Sequence, residues 1–220
     1  RIEYIEALER RKVQQQLEEQ ERERFLGLPP SERHSSRRNA FIALENNSER
    51  IVQSGLDLRG RRYLATDWSN ADIRYSDLSS SQLTAINLMG ADLSSASFEF
   101  CQMDGATIEQ SVADKVNFNS SLLRLSSFVG SSIRLGKFSD AQVQQCDFTG
   151  ADLFGSDFSG ANANDASFGI ANAEKSSFAE AECMNADFSS CNLKAALFVR
   201  ANLTGAIFTN AELDGADFRG

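Results

Sequence analysis

From Leu58 to Phe218 every fifth residue is apolar. The series runs Leu58, Tyr63, Trp68, Ile73, Leu78 and onward. It passes Phe98, Phe118, Phe138, Phe158, Phe178 and Phe198 without a slip. The chain is 41% hydrophobic, so 33 matches in a fixed phase have a chance of about 10⁻¹³. A period of five fits neither a helix, at 3.6, nor a strand, at 2. The pattern must come from a chain that turns a corner once per five residues.

A second series lies two residues earlier. From Ala71 to Ala216 it holds Ala, Ser, Cys or Gly, except at Ile86 and Val116. Each unit therefore reads small, polar, large, polar, polar. The large residue fills an axis and the small one lets the corner close. Phenylalanines recur every twenty residues at 98, 118, 138, 158, 178, 198 and 218. A second set, Phe128, Phe148, Phe168, Phe188 and Phe208, runs ten residues out of phase. Four units per coil, with two opposite aromatic columns, satisfy both intervals. The smaller residues between, such as Ala163 and Ala173, keep a narrow axis at interior density.

Units such as Ala71-Asp72-Ile73, Ala91-Asp92-Leu93, Ala151-Asp152-Leu153 and Ala201-Asn202-Leu203 resemble the A(D/N)LXX motif of the pentapeptide-repeat family. The likeness covers about three quarters of the chain. It implies an all-β solenoid, a right-handed quadrilateral β-helix of about eight coils, preceded by a short α-helical segment. With ~4.8 Å between strands the solenoid would be on the order of 40 Å long. No unit is interrupted, so no protruding loop is expected.

The domain boundary is expected at 54/55. Residues 1–26 read as a charged helix with a thin apolar seam of Ile2, Ile5, Leu8, Val13 and Leu17. Leu28-Pro29-Pro30 stops it. A second helix over roughly 37–53, capped by Ser35 or Ser36, carries Phe41, Leu44, Ile51 and Val52 on one face. That face would cover the first coil, since terminal solenoid coils need capping. The chain opens on Arg1 rather than Met, as a piece of a longer protein would. Homo-oligomer contacts would run through residues 1–26 or the uncapped C-terminal end. Membrane attachment would require a segment upstream.

Chemistry is sparse. The one histidine, His34, lies in a polar linker, and there is no HExxH, Walker loop or GxGxxG motif. The sequence therefore points to a non-enzymatic chain with no cofactor and no metal. Cys101, Cys146, Cys183 and Cys191 fall on interior positions, which suits buried fillers in a cytoplasmic, reducing compartment, with the inner face of a membrane as a second location. Asp147, Asp152 and Asp157 occupy the polar second position of their units, where a short carboxylate bonds turn backbone.

Charge bounds the partner. Residues 1–54 balance ten Lys/Arg against ten Glu, whereas residues 55–220 hold twelve basic and twenty-one acidic residues. An acidic body argues against direct nucleic-acid binding, which needs basic patches. A protein partner is expected. Outward apolar residues are Phe100, Phe154, Ile170, Met184 and Val199, and Leu135 should neighbour Phe154 on the adjacent coil. Leu135, Phe154, Phe100, Asp147, Asp152 and Asp157 are thus the candidate partner-binding residues. The leading expectation is a protein-interaction scaffold, one part of a larger, membrane-linked protein. The alternatives are a DNA mimic that binds a topoisomerase, as in the quinolone-resistance branch of the family, and a secreted bacterial effector.

Overall fold

The computed structural model describes residues 54–220. The expected helices over 1–26 and 37–53, the Pro-Pro linker and His34 lie outside the described residues.

The backbone is a solenoid of parallel pairings, each joining a residue to the one twenty positions on. Asp57 pairs with Asp77, Arg62 with Gln82, Asp67 with Asn87 and Asp72 with Asp92, and the scheme continues to Leu197 with Asp217. Four ladders result. The first contains Asp57, Asp77 and Asp157, and the second Arg62, Gln82 and Gln142. The third contains Asp67, Asn87 and Asp147, and the fourth Asp72, Asp92 and Asp152. Each ladder is one side of the coil, and every bridging residue is the second residue of a unit, polar in most units and apolar at Val112, Leu122, Leu197 and Ile207. Its neighbours serve the coils above and below. Phe158 N–H donates to Ser177 O at 2.7 Å, and Asp157 N–H donates to Gly136 O at 2.9 Å.

Corners close where one unit meets the next. The small residue's N–H returns to the carbonyl of the preceding large residue, as from Ala161 to Phe158 O at 3.0 Å. The second central residue of each turn has positive φ, the mark of a type II turn. This holds at every fifth residue from Gly55 to Gly220, and most of these residues are not glycine. Side chains in the left-handed region cost roughly 1–2 kcal/mol per residue, most for β-branched ones. Ile170, at φ 49°, is the branched example and is 66% exposed. Ile170→Asn should therefore stabilise the fold, by on the order of 1 kcal/mol, because Asn tolerates this conformation. A thermal melt checks it; a lowered midpoint would mean that Ile170 contacts outweigh its backbone strain.

The large residues meet on the axis. Phe138 and Phe158 stack with centroids 4.5 Å apart and planes 4° from parallel. Phe148 and Phe158, from opposite sides, meet edge to face at 5.5 Å and 87°. Stacking down each column and edge contacts across the axis satisfy the ring quadrupole in both directions. The phenylalanines of the two axial columns are essentially solvent-free from Phe98 to Phe198, whereas Phe218 is 44% exposed in the last coil. The four cysteines are free and buried. Cys146 Sγ donates to Leu123 O at 2.9 Å, a corner role that Ser126 Oγ fills toward Met103 O at 2.9 Å. Burial pushes the Cys146 thiol up to about 12, so it is a filler rather than a nucleophile.

Candidate protein-interaction surface

The sequence-predicted residues divide among several sides. Asp147, Asp152 and Asp157 sit in the third, fourth and first ladders, on three successive sides of one coil. Each first serves its own turn. Asp147 Oδ1 accepts from Thr149 N–H at 2.9 Å, Asp152 Oδ1 from Phe154 N–H at 3.2 Å and Asp157 Oδ1 from Ser159 N–H at 2.9 Å. Asp152 also holds Arg134 at 2.7 Å. These three acids do not converge on a single site.

Leu135 and Phe154 do meet. Leu135 N–H donates to Phe154 O at 2.9 Å, and the Leu135 side chain leans over Gly155, where a methyl would come within 2.9 Å of its Cδ2. Phe154, however, is only half-exposed. The Arg134 guanidinium lies 4.5 Å from its centroid and the Lys175 ammonium 5.0 Å. Much of the ring is already occupied by cations, and Leu135 supplies the exposed apolar surface of the pair. Phe100 is 58% exposed on the first side, between Ser80 and Ser120 in its column, so it has no apolar neighbour there.

Burial of Asp157 favours its neutral form. Hydrogen bonds from the Ser159 hydroxyl and N–H and from Ser139 Oγ, with the Lys137 charge, outweigh this and hold the carboxyl below its ordinary range. A depressed folded pKa stabilises the fold above the unfolded value, about 4, and that contribution fades as pH falls through the lower folded value. Thermal midpoints of Asp157→Asn should therefore fall less than the parent's on acidification from pH 7 to about 2. Parallel curves would show that these hydrogen bonds do not favour the charged form.

The distribution of cations separates the sides. Arg59 joins Asp57 and Asp77, and Arg219 joins Asp217, all on the first side. Arg124 joins Asp104 on the second. Arg74 joins Asp72 and Asp92, Lys175 joins Glu174 and Lys194 joins Glu212 on the fourth. The third side, with its following corner, carries Asp67, Glu109, Asp147 and Asp187 and, among the described residues, no Lys or Arg. The net charge of the repeat body does not reveal where its cations fall. Their positions modulo twenty held the signal.

Among the described residues no group of three or more His, Cys, Asp or Glu is arranged to hold a metal ion. No described helix is long and apolar enough to cross a membrane.

The model for pentapeptide repeats in eight copies matches residues 71–110, and that for a pentapeptide repeat region matches residues 141–218. Together they cover more than half of the chain. The chain belongs to the pentapeptide-repeat family. Among solved structures it resembles a trypsin-treated variant of QnrB1, a plasmid-mediated fluoroquinolone resistance protein. Identity there is 16%, the TM-score is 0.53, and the match covers 74% of this chain and 86% of that one. HetL, a pentapeptide repeat protein involved in heterocyst differentiation regulation in the cyanobacterium Nostoc sp. strain PCC 7120, is 22% identical. Its TM-score is 0.49, with 80% and 94% covered. A pentapeptide repeat protein of the Arabidopsis thaliana thylakoid lumen is 29% identical over 41% of this chain and 67% of that one, with a TM-score of 0.34. At these identities the likeness to QnrB1 speaks for the fold alone. No curated protein matches.

Proposed function

We propose that the solenoid is a protein-interaction scaffold whose acidic surface engages a protein that normally receives nucleic acid, a type II topoisomerase being the first partner to test. One observation carries this reading. The repeat body's acidic excess is displayed around a narrow solenoid, and on one whole side no Lys or Arg among the described residues offsets it. Such a surface repels nucleic acid and attracts the basic grooves that bind it. The fluoroquinolone-resistance role of QnrB1 guides the choice of enzyme. In this reading the coil is right-handed, about eight turns long, and works in a reducing compartment such as the cytoplasm, where its free cysteines persist.

The test is inhibition of DNA supercoiling by the purified full chain. Inhibition at low micromolar protein, relieved by charge reversal at Asp147, Asp152 and Asp157, is the expected result. No inhibition by the folded parent sinks the topoisomerase reading. Exposed Leu135 and Phe100 favour a second reading, docking into a larger protein assembly without mimicry. Their substitution by Ser would then weaken capture of that assembly while leaving supercoiling untouched.

A further inference from the structure

We infer that the third side is the contact surface and that its occupant is a cationic protein surface with apolar character. The inference rests on the reading that the acidity serves a partner, and it adds where that partner sits. On each of the other three sides some carboxylates pair with Lys or Arg of the chain itself, as Asp57 with Arg59, Asp104 with Arg124 and Asp72 with Arg74. On the third side the carboxylates' hydrogen-bond partners are neutral. Asp67 accepts from Ser69 N–H at 3.0 Å and Asn87 Nδ2 at 2.9 Å. Glu109 accepts from Ser127 Oγ at 2.7 Å, and Asp187 from Ser189 N–H at 2.8 Å. With the Thr149 bond to Asp147, these contacts orient the carboxylates without cancelling their charge.

The spacing decides what kind of cation fits. Asp67, Glu109, Asp147 and Asp187 fall one to every second coil, about 10 Å apart at the usual strand separation. That is too far for carboxylates to share a metal ion, and it suits Lys and Arg side chains spread over a protein. Apolar groups lie among them. Met89 is 40% exposed, Ile170 66% and Ile207 47%. Aliphatic stems of Lys and Arg cover such groups while their heads reach carboxylates. Nucleic acid and anionic lipid are repelled by the same side.

Two variants of the full chain remove equal charge. Asp67→Asn, Glu109→Gln, Asp147→Asn and Asp187→Asn clear the third side while keeping an acceptor in each turn. Glu99→Gln, Asp140→Asn, Asp165→Asn and Glu180→Gln clear the same number from the first and second sides. Binding is measured to DNA-free type II topoisomerase and to a synthetic amphipathic Lys/Leu peptide. The first set should weaken binding by about tenfold or more and the second by about twofold or less. Equal losses, no loss, or no binding of either probe overturns the inference. Peptide binding through the third side without topoisomerase binding leaves the surface standing and removes the topoisomerase reading. Topoisomerase binding that both sets weaken alike does the reverse. Ile170→Asn should lower affinity several-fold while the thermal midpoint rises; unchanged affinity overturns the apolar part.

Discussion

Phe158→Asp is expected to abolish the cooperative fold. The ring is solvent-free and lies between Phe138 at 4.5 Å and Phe178 at 5.0 Å, nearly parallel to both. Phe148 and Phe168 close on its edges at 5.5 and 5.7 Å. Removing such a ring costs roughly 3–5 kcal/mol, comparable to a marginal domain's whole stability. A carboxylate adds the cost of a charge with no partner on a hydrocarbon axis. Circular dichroism should show the β signal lost or its melt broadened. Asp165→Asn is the matched control. Its side chain is exposed at φ 58°, a conformation that Asn accepts readily, so its melt should overlay the parent's. If the two variants melt alike, the axis is wrongly assigned.

Gly136→Val should be the next most damaging change, by roughly 1–3 kcal/mol as for other overpacked sites. Gly136 occupies the small corner position and has no positive φ. Its lack of a side chain matters for space rather than for conformation. A Cβ there would meet Ile133 Cγ2 at 2.7 Å, Ile133 O at 3.0 Å and Phe138 Cε2 at 3.2 Å. A branched side chain would push Ile133 off the axis or open the turn that Gly136 N–H closes on Ile133 O at 3.1 Å. Urea unfolding checks this. A midpoint within error of the parent's would mean that Ile133 can repack at no cost.

Much of this architecture was legible because the repeat is unbroken. One apolar residue in five fixes the inside, and the two phenylalanine intervals fix the coil at twenty. Backbone conformation was legible only in part. Glycines such as Gly150, Gly155, Gly160 and Gly205 announce a left-handed corner, and each has positive φ. Tyr75, Leu125 and Ile170 have it too, though nothing in their chemistry favours it. There the ladders on either side of the corner overrule local preference. The candidate surface was less legible because its neighbours are one coil away. Arg134 and Lys175 cover Phe154 from positions twenty or so residues distant, a separation that inspection of adjacent residues does not reveal. Asp147, Asp152 and Asp157 look clustered in the chain, yet they face three directions, because five residues turn it onto the next side.

The twenty-residue pitch also governs which changes of length the protein can inherit. Deleting twenty residues from the interior removes a storey and leaves every downstream side chain facing its former direction. Deleting five keeps the apolar axis intact but rotates everything after the cut by a quarter turn, carrying Asp187 out of the column it shares with Asp147. Deleting any other number up to nine breaks the five-residue register of the axis. Evolution by unit duplication can thus conserve the fold while reassigning which direction each surface residue faces.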